Sequence, residues 1–291
     1  KLVQFVLGAA NCSLVYMLGT RVFNRRIGLI ASLAAALYGP MIYFDGELLT
    51  PTLQIFLNLC ALLVLLDAIE KQQVARFALS GLLIGFSIIT RPDTLLFLLG
   101  AVAWTIISLR KTRPAKPIWA ISVVMLTCAV LPIIPVALRN LTVGHDSVLI
   151  SYNGGINFYI GNNAQEEMTR DIRPGPDWDR LKDWPQREIP GASPSRQAAF
   201  FYGKAFDYIR SHPLEYAGLL CKKTIMYLSG IEGRRNDDQY FYRNYSLLYS
   251  MLTFKLRWFA FPYGFVLPLA FFGMLRRRPD HRTALCYWYL A

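Results

Sequence analysis

The feature that most constrains the fold is a series of uncharged apolar runs that fills the first half of the chain, with only short polar breaks between them. The run at residues 2–20 holds no charged side chain. A helix of that length, rising 1.5 Å per residue, is long enough to cross the roughly 30 Å hydrocarbon core of a bilayer. Hydrophobic residues make up 54% of the 291 positions, more than is usual for a soluble domain. We therefore predict a polytopic membrane protein.

The remaining runs define the predicted membrane topology. They lie at residues 27–44, 48–66, 77–90, 94–109, 118–138 and 259–275, and a last run begins at Thr283. Residues 77–90 and 94–109 are short for a bilayer, so they form either two tilted spans or one re-entrant hairpin. The predicted fold is an all-α polytopic membrane bundle. Its regions are a multi-span part at residues 1–138, a mixed α/β extracytoplasmic segment at 139–257 and a C-terminal membrane part at 258–291.

Charge in the polar breaks predicts which helix ends face the cytoplasm. Four breaks each hold two or more Lys or Arg residues and are taken as basic: residues 21–26, 67–76, 110–117 and 276–282. The breaks at residues 45–47 and 91–93 hold one basic residue between them. Because short cytoplasmic loops attract Lys and Arg, the four basic breaks are predicted inside and residues 139–257 outside. The formal net charge of +12 thus reflects membrane orientation, and we expect no nucleic-acid partner.

Cysteine and histidine patterns indicate neither a metal site nor a disulfide framework. The five cysteines mostly lie within apolar runs and have no CxxC spacing, and the three histidines are scattered. We expect no metal and no cofactor.

The outer segment opens with a stretch rich in Asn and Gly. Residues 147–152 form a β-type run, Asn153-Gly154-Gly155 a turn, residues 158–160 a second run and Gly161-Asn162-Asn163 a second turn. This pattern predicts a β-hairpin. The hairpin either caps the membrane bundle or brings amides and backbone N–H groups together, as a sugar or phosphate site requires.

Two helices are predicted further along the outer segment. Residues 174–194, rich in Pro, Gly and Trp, are predicted to be an irregular loop. A helix follows at residues 195–211 with Ser195 as its cap, and another begins at Pro213. On that second helix, Lys222 and Lys223 either meet lipid phosphates or snorkel along apolar surface.

Ionisable side chains gather at the outer ends of the predicted spans and are missing from their middles. Ion-coupled transporters usually need such groups at the bilayer midplane, so this pattern argues against transport. The outer charges are Asp45, Glu47, Arg91, Asp93 and Arg139. They are either ordinary helix-end charges in solvent or a converging site for a lipid head group, in which Arg91 and Glu47 bind the substrate or pair with each other. In such a site arginine grips phosphate, and a carboxylate binds hydroxyls or accepts a proton.

Five segments are similar in order and content to a known enzyme group. They are YFDGELLTPTL (residues 43–53), GFSIITRPD (85–93), LPIIPVALRN (131–140), ISYNGGINFYIGNN (150–163) and YLSGIEGRRNDDQYFYRNYS (227–246). They resemble bacterial membrane glycosyltransferases of the GT-C type, a family 39-like group related to protein mannosyltransferases and the lipid A aminoarabinose transferase. The resemblance implies inverting transfer of a sugar from a polyprenyl-phosphate donor to a lipid, glycan or protein acceptor. The expected location is the extracytoplasmic face of the bacterial inner membrane.

The resemblance also implies roles for individual residues. The donor site is expected to be lined or supported by Glu47, Arg91, Arg139, Asn153, Asn157, Asn163 and Glu232. Residues 2–20 match the family's second span, and the family's catalytic base lies between its first and second spans. We therefore expect a fragment, truncated at both ends, whose base precedes Lys1 and which is inactive alone. Arginines are expected to neutralise the leaving phosphate, so no metal is required.

Two other functions use a similar outer site. One is a flippase or transporter of lipid-linked oligosaccharide, and the other is a non-catalytic assembly protein that binds glycolipid. The uncharged spans count against the first, because moving a polar head group requires a polar path. An acidic residue in the loop expected before Lys1 would favour a catalytic protein over a non-catalytic assembly protein.

The charge pattern gives a test of sidedness. In a cysteine-free variant of the protein, Ser193→Cys in intact cells should react with a membrane-impermeant thiol reagent, whereas Thr112→Cys should react only after the membrane is opened. Labelling of Thr112→Cys but not Ser193→Cys in intact cells would show that the topology is the reverse of the predicted one.

Overall fold

The computed structural model describes residues 1–110, 114–231 and 239–276. These residues are mostly helical, and the predicted helical membrane bundle is confirmed. The chain divides into two compact units, one of Lys1–Val136 with Leu269–Ala291 and the other of Ala137–Pro268. The run predicted to begin at Thr283 lies outside the described residues.

The first unit consists of apolar helices. They are α1 (Leu2–Val22), α2 (Arg25–Ala36), α3 (Gly39–Gly46), α4 (Pro51–Lys71), α5 (Val74–Thr90), α6 (Thr94–Leu109) and α7 (Ala115–Val130). By length and composition, α1 and α4 each suffice for one membrane span. The shorter helices α2 and α3 together have the length of one further span. Helix α7 and the helix that follows it, α8 (Ile133–Thr142), form a second such pair. Helices α5 and α6 are shorter apolar helices.

Two spans predicted as continuous are broken helices. The run at residues 27–44 is bent by 54° between α2 and α3, where Pro40 occupies the first turn of α3. The run at 118–138 is interrupted between α7 and α8, next to Pro132. Proline has no backbone N–H and clashes with the preceding helical turn, so a break at these positions follows from the sequence.

Helix α4 supplies much of the core of the first unit. It packs against α1 and α5 through buried Leu59, Leu62 and Leu65. Buried polar side chains bond between helices: Ser87 Oγ donates to Asn58 Oδ1 at 2.7 Å, and Asn11 Nδ2 donates to the Thr52 carbonyl oxygen at 3.1 Å. In an apolar environment such groups need partners within the protein, and these bonds join neighbouring helices.

Glycines allow α5 and α7 to pack backbone to backbone. Gly81 and Gly85 are four residues apart on α5. A Cβ added at Gly81 would lie 3.0 Å from the Met125 carbonyl carbon, and one added at Gly85 would lie 2.9 Å from that of Ala129. This small-xxx-small spacing is a common device of membrane helix pairs, because close backbones maximise van der Waals contact.

A charged cluster joins the ends of α1, α4 and α5 at the end that the charge pattern assigns to the cytoplasm. Arg21 pairs with Asp67 and, at 2.5 Å, with Glu70. Arg76 pairs with Asp67 at 2.6 Å. The four side chains are 23% to 35% exposed, so the cluster lies where helix ends meet solvent.

The second unit consists of shorter helices and one small sheet. Its helices are α9 (Asn153–Gly161), α10 (Glu166–Arg170), α11 (Pro176–Lys182), α12 (Trp184–Glu188), α13 (Pro194–Ser211), α14 (Pro213–Ser229), a 3-10 helix (Phe241–Tyr245) and α15 (Leu247–Leu252). Strands β1 (Phe254–Lys255) and β2 (Ala260–Phe261) pair antiparallel. Helix α16 (Tyr263–Arg276) leads from this unit into the first.

The predicted β-hairpin is wrong. Residues 147–152 form no strand, and residues 153–161 form α9. Ile156, Tyr159 and Ile160 stand three and four residues apart, so in a helix they share one face, and they pack with Phe201 of α13. Gly155 permits the approach, since a Cβ there would lie 2.6 Å from Ala198 Cα. Burial of this helical face outweighs the turn propensity of Asn and Gly.

Two predictions further along the outer segment also need correction. Residues 174–194, predicted to be an irregular loop, contain α11 and α12, each with a proline in its first turn. The helix predicted at residues 195–211 begins at Pro194, and Ser195 is not its cap.

The close α5–α7 packing yields a stability prediction. Gly85→Leu should lower the free energy of unfolding by about 1–3 kcal/mol, because the new side chain overpacks the contact with Ala129. Thermal unfolding of purified protein in detergent measures this loss. Gly273→Leu is the matched control, since a Cβ on that helical glycine has no atom within 4 Å. Equal melting temperatures for the two variants would contradict the packing account.

Candidate functional site

An aromatic core holds α9 against α12 and α13. Tyr159 contacts the rings of Trp184 and Phe201, each with a centroid separation of 5.7 Å, and Trp184 meets Phe200 at 5.1 Å. Burial raises the pKa of the Tyr159 hydroxyl. Since aromatic packing of this kind is rigid as well as apolar, α9 has a fixed position within the second unit.

Asp146 ties the loop before α9 to the start of α13. It is 9% exposed and accepts hydrogen bonds from Ser195 N at 2.6 Å, Ser195 Oγ at 2.5 Å and Ser147 N at 2.8 Å. The two hydrogen bonds from Ser195 lower the pKa of the Asp146 carboxyl, and the bond from the hydroxyl has the larger effect. The cap of α13 therefore comes from a residue far away in sequence, which explains why the predicted Ser195 cap is wrong.

Asn163 closes the other end of α9. It is 4% exposed, and its amide nitrogen donates to the Tyr159 carbonyl oxygen at 2.7 Å and to Thr169 Oγ1 at 2.9 Å. Its amide oxygen accepts from Gln165 N at 2.7 Å. These bonds satisfy backbone groups that the helix end would leave unpaired. The hydrogen bonds of the Asn163 side chain named here are all made within the protein, where they stabilise the end of α9.

A charged cluster lies beside that helix end. Glu166, 5% exposed, pairs with Arg170 at 2.9 Å and with Lys222 at 3.7 Å. Lys222 also pairs with Glu167, which lowers the pKa of the Glu167 carboxyl. Lys223 donates to the carbonyl oxygen of Gly161 at the end of α9. Burial lowers the pKa of the Lys223 ammonium.

The lysine cluster corrects a prediction. Lys222 and Lys223 were expected to meet lipid phosphates or to snorkel along apolar surface. In the structure both bond within the second unit instead. Their partners are carboxylates and a helix C-terminus, which carries partial negative charge.

The exposed candidates of the second unit are Arg139, Asn153 and Asn157. The guanidinium of Arg139, on α8, forms no ion pair with any residue in the described ranges. Asn153 is the first residue of α9 and borders a small pocket of about 50 Å³. Glu232 lies outside the described residues.

Sequence reasoning missed the other residues of this pocket. They include Trp178, Lys182 and Gln197, which come from α11 and α13. One aromatic and two hydrogen-bonding side chains could have indicated a binding pocket. Trp178 and Lys182 were overlooked because residues 174–194 were predicted to be an irregular loop.

In the first unit, Glu47 and Arg91 follow the ends of α3 and α5. Arg91 pairs with Asp93 at 2.9 Å, and both side chains are about half exposed. The expected alternative, a pair between Arg91 and Glu47, is therefore replaced by a local pair across Pro92. Asp45 is engaged elsewhere, accepting from Thr52 Oγ1 at 2.9 Å. Its carboxylate fills the space beside Gly8, where a Cβ would approach Asp45 Cγ to 2.5 Å.

Taken over the described residues, no three His, Cys, Asp or Glu side chains are grouped so as to hold a metal ion.

The helices of the first unit define a membrane-embedded helical bundle, and a family match covers the same part of the chain. Residues 1–137, of 291 in all, match a family model described as dolichyl-phosphate-mannose-protein mannosyltransferase. The match supports the resemblance to GT-C glycosyltransferases over those residues. No curated protein and no solved structure matches the chain.

The Asp146 contacts generate a pH prediction. A carboxyl whose folded pKa is lowered stabilises the protein above its unfolded pKa of about 3.9, and this contribution is lost as pH falls through the folded value. Asp146→Asn should therefore lower the melting temperature at pH 7, and the deficit should shrink as pH falls from about 5 towards 3. Thermal unfolding across that range measures the effect. Asp177→Asn removes an 81% exposed carboxylate and should show little deficit at any pH.

Proposed function

We propose that the protein is a membrane glycosyltransferase that transfers a sugar from a polyprenyl-phosphate donor to a lipid, glycan or protein acceptor. The reaction takes place on the extracytoplasmic face of the bacterial inner membrane. The observation that carries the proposal is the match of residues 1–137 to a mannosyltransferase family. Uncharged spans with charged outer helix ends support it, because they suit a lipid-linked substrate whose polar group stays at the membrane surface.

The proposed reaction places its main electrostatic demand on the leaving group. The acceptor hydroxyl oxygen attacks the anomeric carbon on the face opposite the phosphate, and its proton passes to a base. The bond from the anomeric carbon to the phosphate oxygen breaks, and the polyprenyl phosphate departs with the bonding electrons. A fixed cation beside that oxygen stabilises the transition state as negative charge develops.

Arg139 is the residue of the second unit assigned to this task. It is exposed and has no ion-pair partner in the described ranges, so its guanidinium is available to grip phosphate with two parallel hydrogen bonds. Asn153 and Asn157 are assigned to sugar hydroxyls, and Asn163 supports them by holding the end of α9.

Glu47 and Arg91 are proposed donor-site residues of the first unit. The Arg91–Asp93 pair is exposed, and exposed pairs contribute about 0–1 kcal/mol, so a phosphate can replace Asp93 at little cost. Glu232 remains a proposed contributor on the basis of the resemblance alone.

Arg139 provides the mutational test. Arg139→Ala should reduce sugar transfer by about 10²–10³, the usual loss when one positioned electrostatic contact is removed. Arg139→Lys should recover only part of the activity, because an ammonium lacks the planar fork. The measurement is transfer from radiolabelled polyprenyl-phosphate sugar by the purified full-length protein.

The matched control is Arg196→Ala, which removes another exposed arginine of the second unit and should leave transfer unchanged. Thermal unfolding confirms that each variant is folded. Full activity in Arg139→Ala would remove this residue from the mechanism. Full activity in Arg139→Lys would indicate that it serves only as a cationic membrane anchor.

A further inference from the structure

The pocket at the start of α9 has walls of two chemical kinds. Tyr152, Trp178 and Phe201 give it aromatic surface, and Asn153, Lys182 and Gln197 give it hydrogen-bonding groups. It is formed by α9, α11 and α13, all within the second unit. Mostly apolar walls with a few convergent polar groups are the usual composition of a small-ligand site.

The shape of the pocket limits what it can take. Its volume of about 50 Å³ corresponds to roughly four water-sized positions. That space admits one edge or face of a single six-membered ring, with the rest of a longer molecule in solvent. It is too small for a lipid chain or an oligosaccharide bound along its length.

The walls are rigid. Ile156 and Phe201 belong to the buried cluster of α9 and α13, and Trp178 packs against it. Gln197 is oriented by its own hydrogen bond, because Nε2 donates to the Ala192 carbonyl oxygen at 3.0 Å. A preformed site loses little conformational entropy when a ligand binds.

The charge balance distinguishes between ligands. The ammonium of Lys182, the one cation among the lining residues, lies 3.9 Å from carboxylate oxygens of both Asp179 and Asp183. These exposed pairs are weak, but one ammonium and two carboxylates carry a net charge of −1. A phosphate or carboxylate would therefore meet two nearby anions as well as the ammonium. A neutral ligand that offers hydroxyls to Lys182, Asn153 and Gln197 avoids that repulsion.

From these features we infer that the pocket binds a neutral pyranose ring, with an apolar ring face on Trp178 and hydroxyls bonded to Asn153 and Gln197. The inference deepens the proposed function and rests on it for the biological meaning of the site, which is to hold one sugar residue of a substrate. Sugar rings present C–H groups on one face and hydroxyls at the rim, which matches an aromatic wall with amides at its edge.

Binding of methyl α-mannoside, detected by saturation-transfer NMR on the purified protein in nanodiscs, tests the inference. Wild-type protein should bind the glycoside, and Trp178→Ala should weaken binding by about tenfold or more. Trp178→Phe keeps an aromatic face and should bind within about threefold of wild type. Asn153→Ala changes an exposed side chain and should also weaken binding, so the test does not depend on a core variant that fails to fold.

Two controls isolate the pocket and its charge preference. Trp119→Ala removes a 62% exposed tryptophan of α7 in the first unit and should leave binding unchanged. Mannose phosphate should bind no more tightly than methyl α-mannoside, and Lys182→Gln should keep neutral-sugar binding within about threefold. Stronger binding of the phosphate, lost in Lys182→Gln, would make this an anion site and overturn the inference. Equal glycoside binding by wild type, Trp178→Ala and Asn153→Ala would also overturn it.

The transfer assay separates failure of the inference from failure of the proposed function. If transfer is observed and Trp178→Ala raises the KM of neither donor nor acceptor, the pocket is not a substrate subsite but the enzyme activity stands. If glycoside binding depends on Trp178 while no transfer occurs, the pocket binds sugar and the transferase proposal fails.

Discussion

The exclusion of water from the hydrocarbon core is the constraint on which the structure of this protein depends. A backbone N–H or carbonyl group without a partner there costs several kcal/mol, so the chain must cross as helices. The same constraint governs side chains. The amides of Asn11 and Asn58 bond to neighbouring helices, and the Arg21–Asp67 pair lies at helix ends. Where hydrophobic attraction between helices is weak, Gly81 and Gly85 supply contact area by bringing two backbones together.

The second unit is held together differently, because its residues use burial, aromatic packing and helix capping. Ile156 and Ile160 are buried with Phe201, Asn163 completes the end of α9, and Asp146 caps α13 from a distant loop. In these contacts, the polar groups that maintain the shape of the unit form hydrogen bonds within the protein. The polar groups left exposed, among them Arg139 and Asn153, are therefore the ones to which binding is assigned.

The sequence was sufficient for features that depend on composition over many residues. Uncharged runs of span length predicted the helical membrane bundle, and the helix predicted at residues 195–211 is present as α13. It was misleading where local propensity opposed tertiary packing. Asn153-Gly154-Gly155 favours a turn in isolation, yet the chain forms α9 because Gly155 lets it approach Ala198.

The candidate site was predictable only in part, for the same reason. Arg139 and Asn153 could be chosen from residue type and resemblance. The roles of Asn163 and Lys223 depend on which backbone carbonyls lie beside them, and that information exists only in the folded chain. Likewise, Trp178 and Gln197 are 19 residues apart in number and become partners only through the packing of α9, α11 and α13.

The central claim is that the protein breaks the bond between a sugar and a polyprenyl phosphate. The most direct measurement is mass spectrometry of proteoliposomes that hold the purified full-length protein and are supplied with polyprenyl-phosphate mannose and an acceptor mixture of lipids, glycans and peptides. The account predicts free polyprenyl phosphate in amounts equal to the newly mannosylated acceptor. Donor that crosses the bilayer intact would identify a flippase, and donor that is bound but stays intact would identify an assembly protein. Either result would contradict the account.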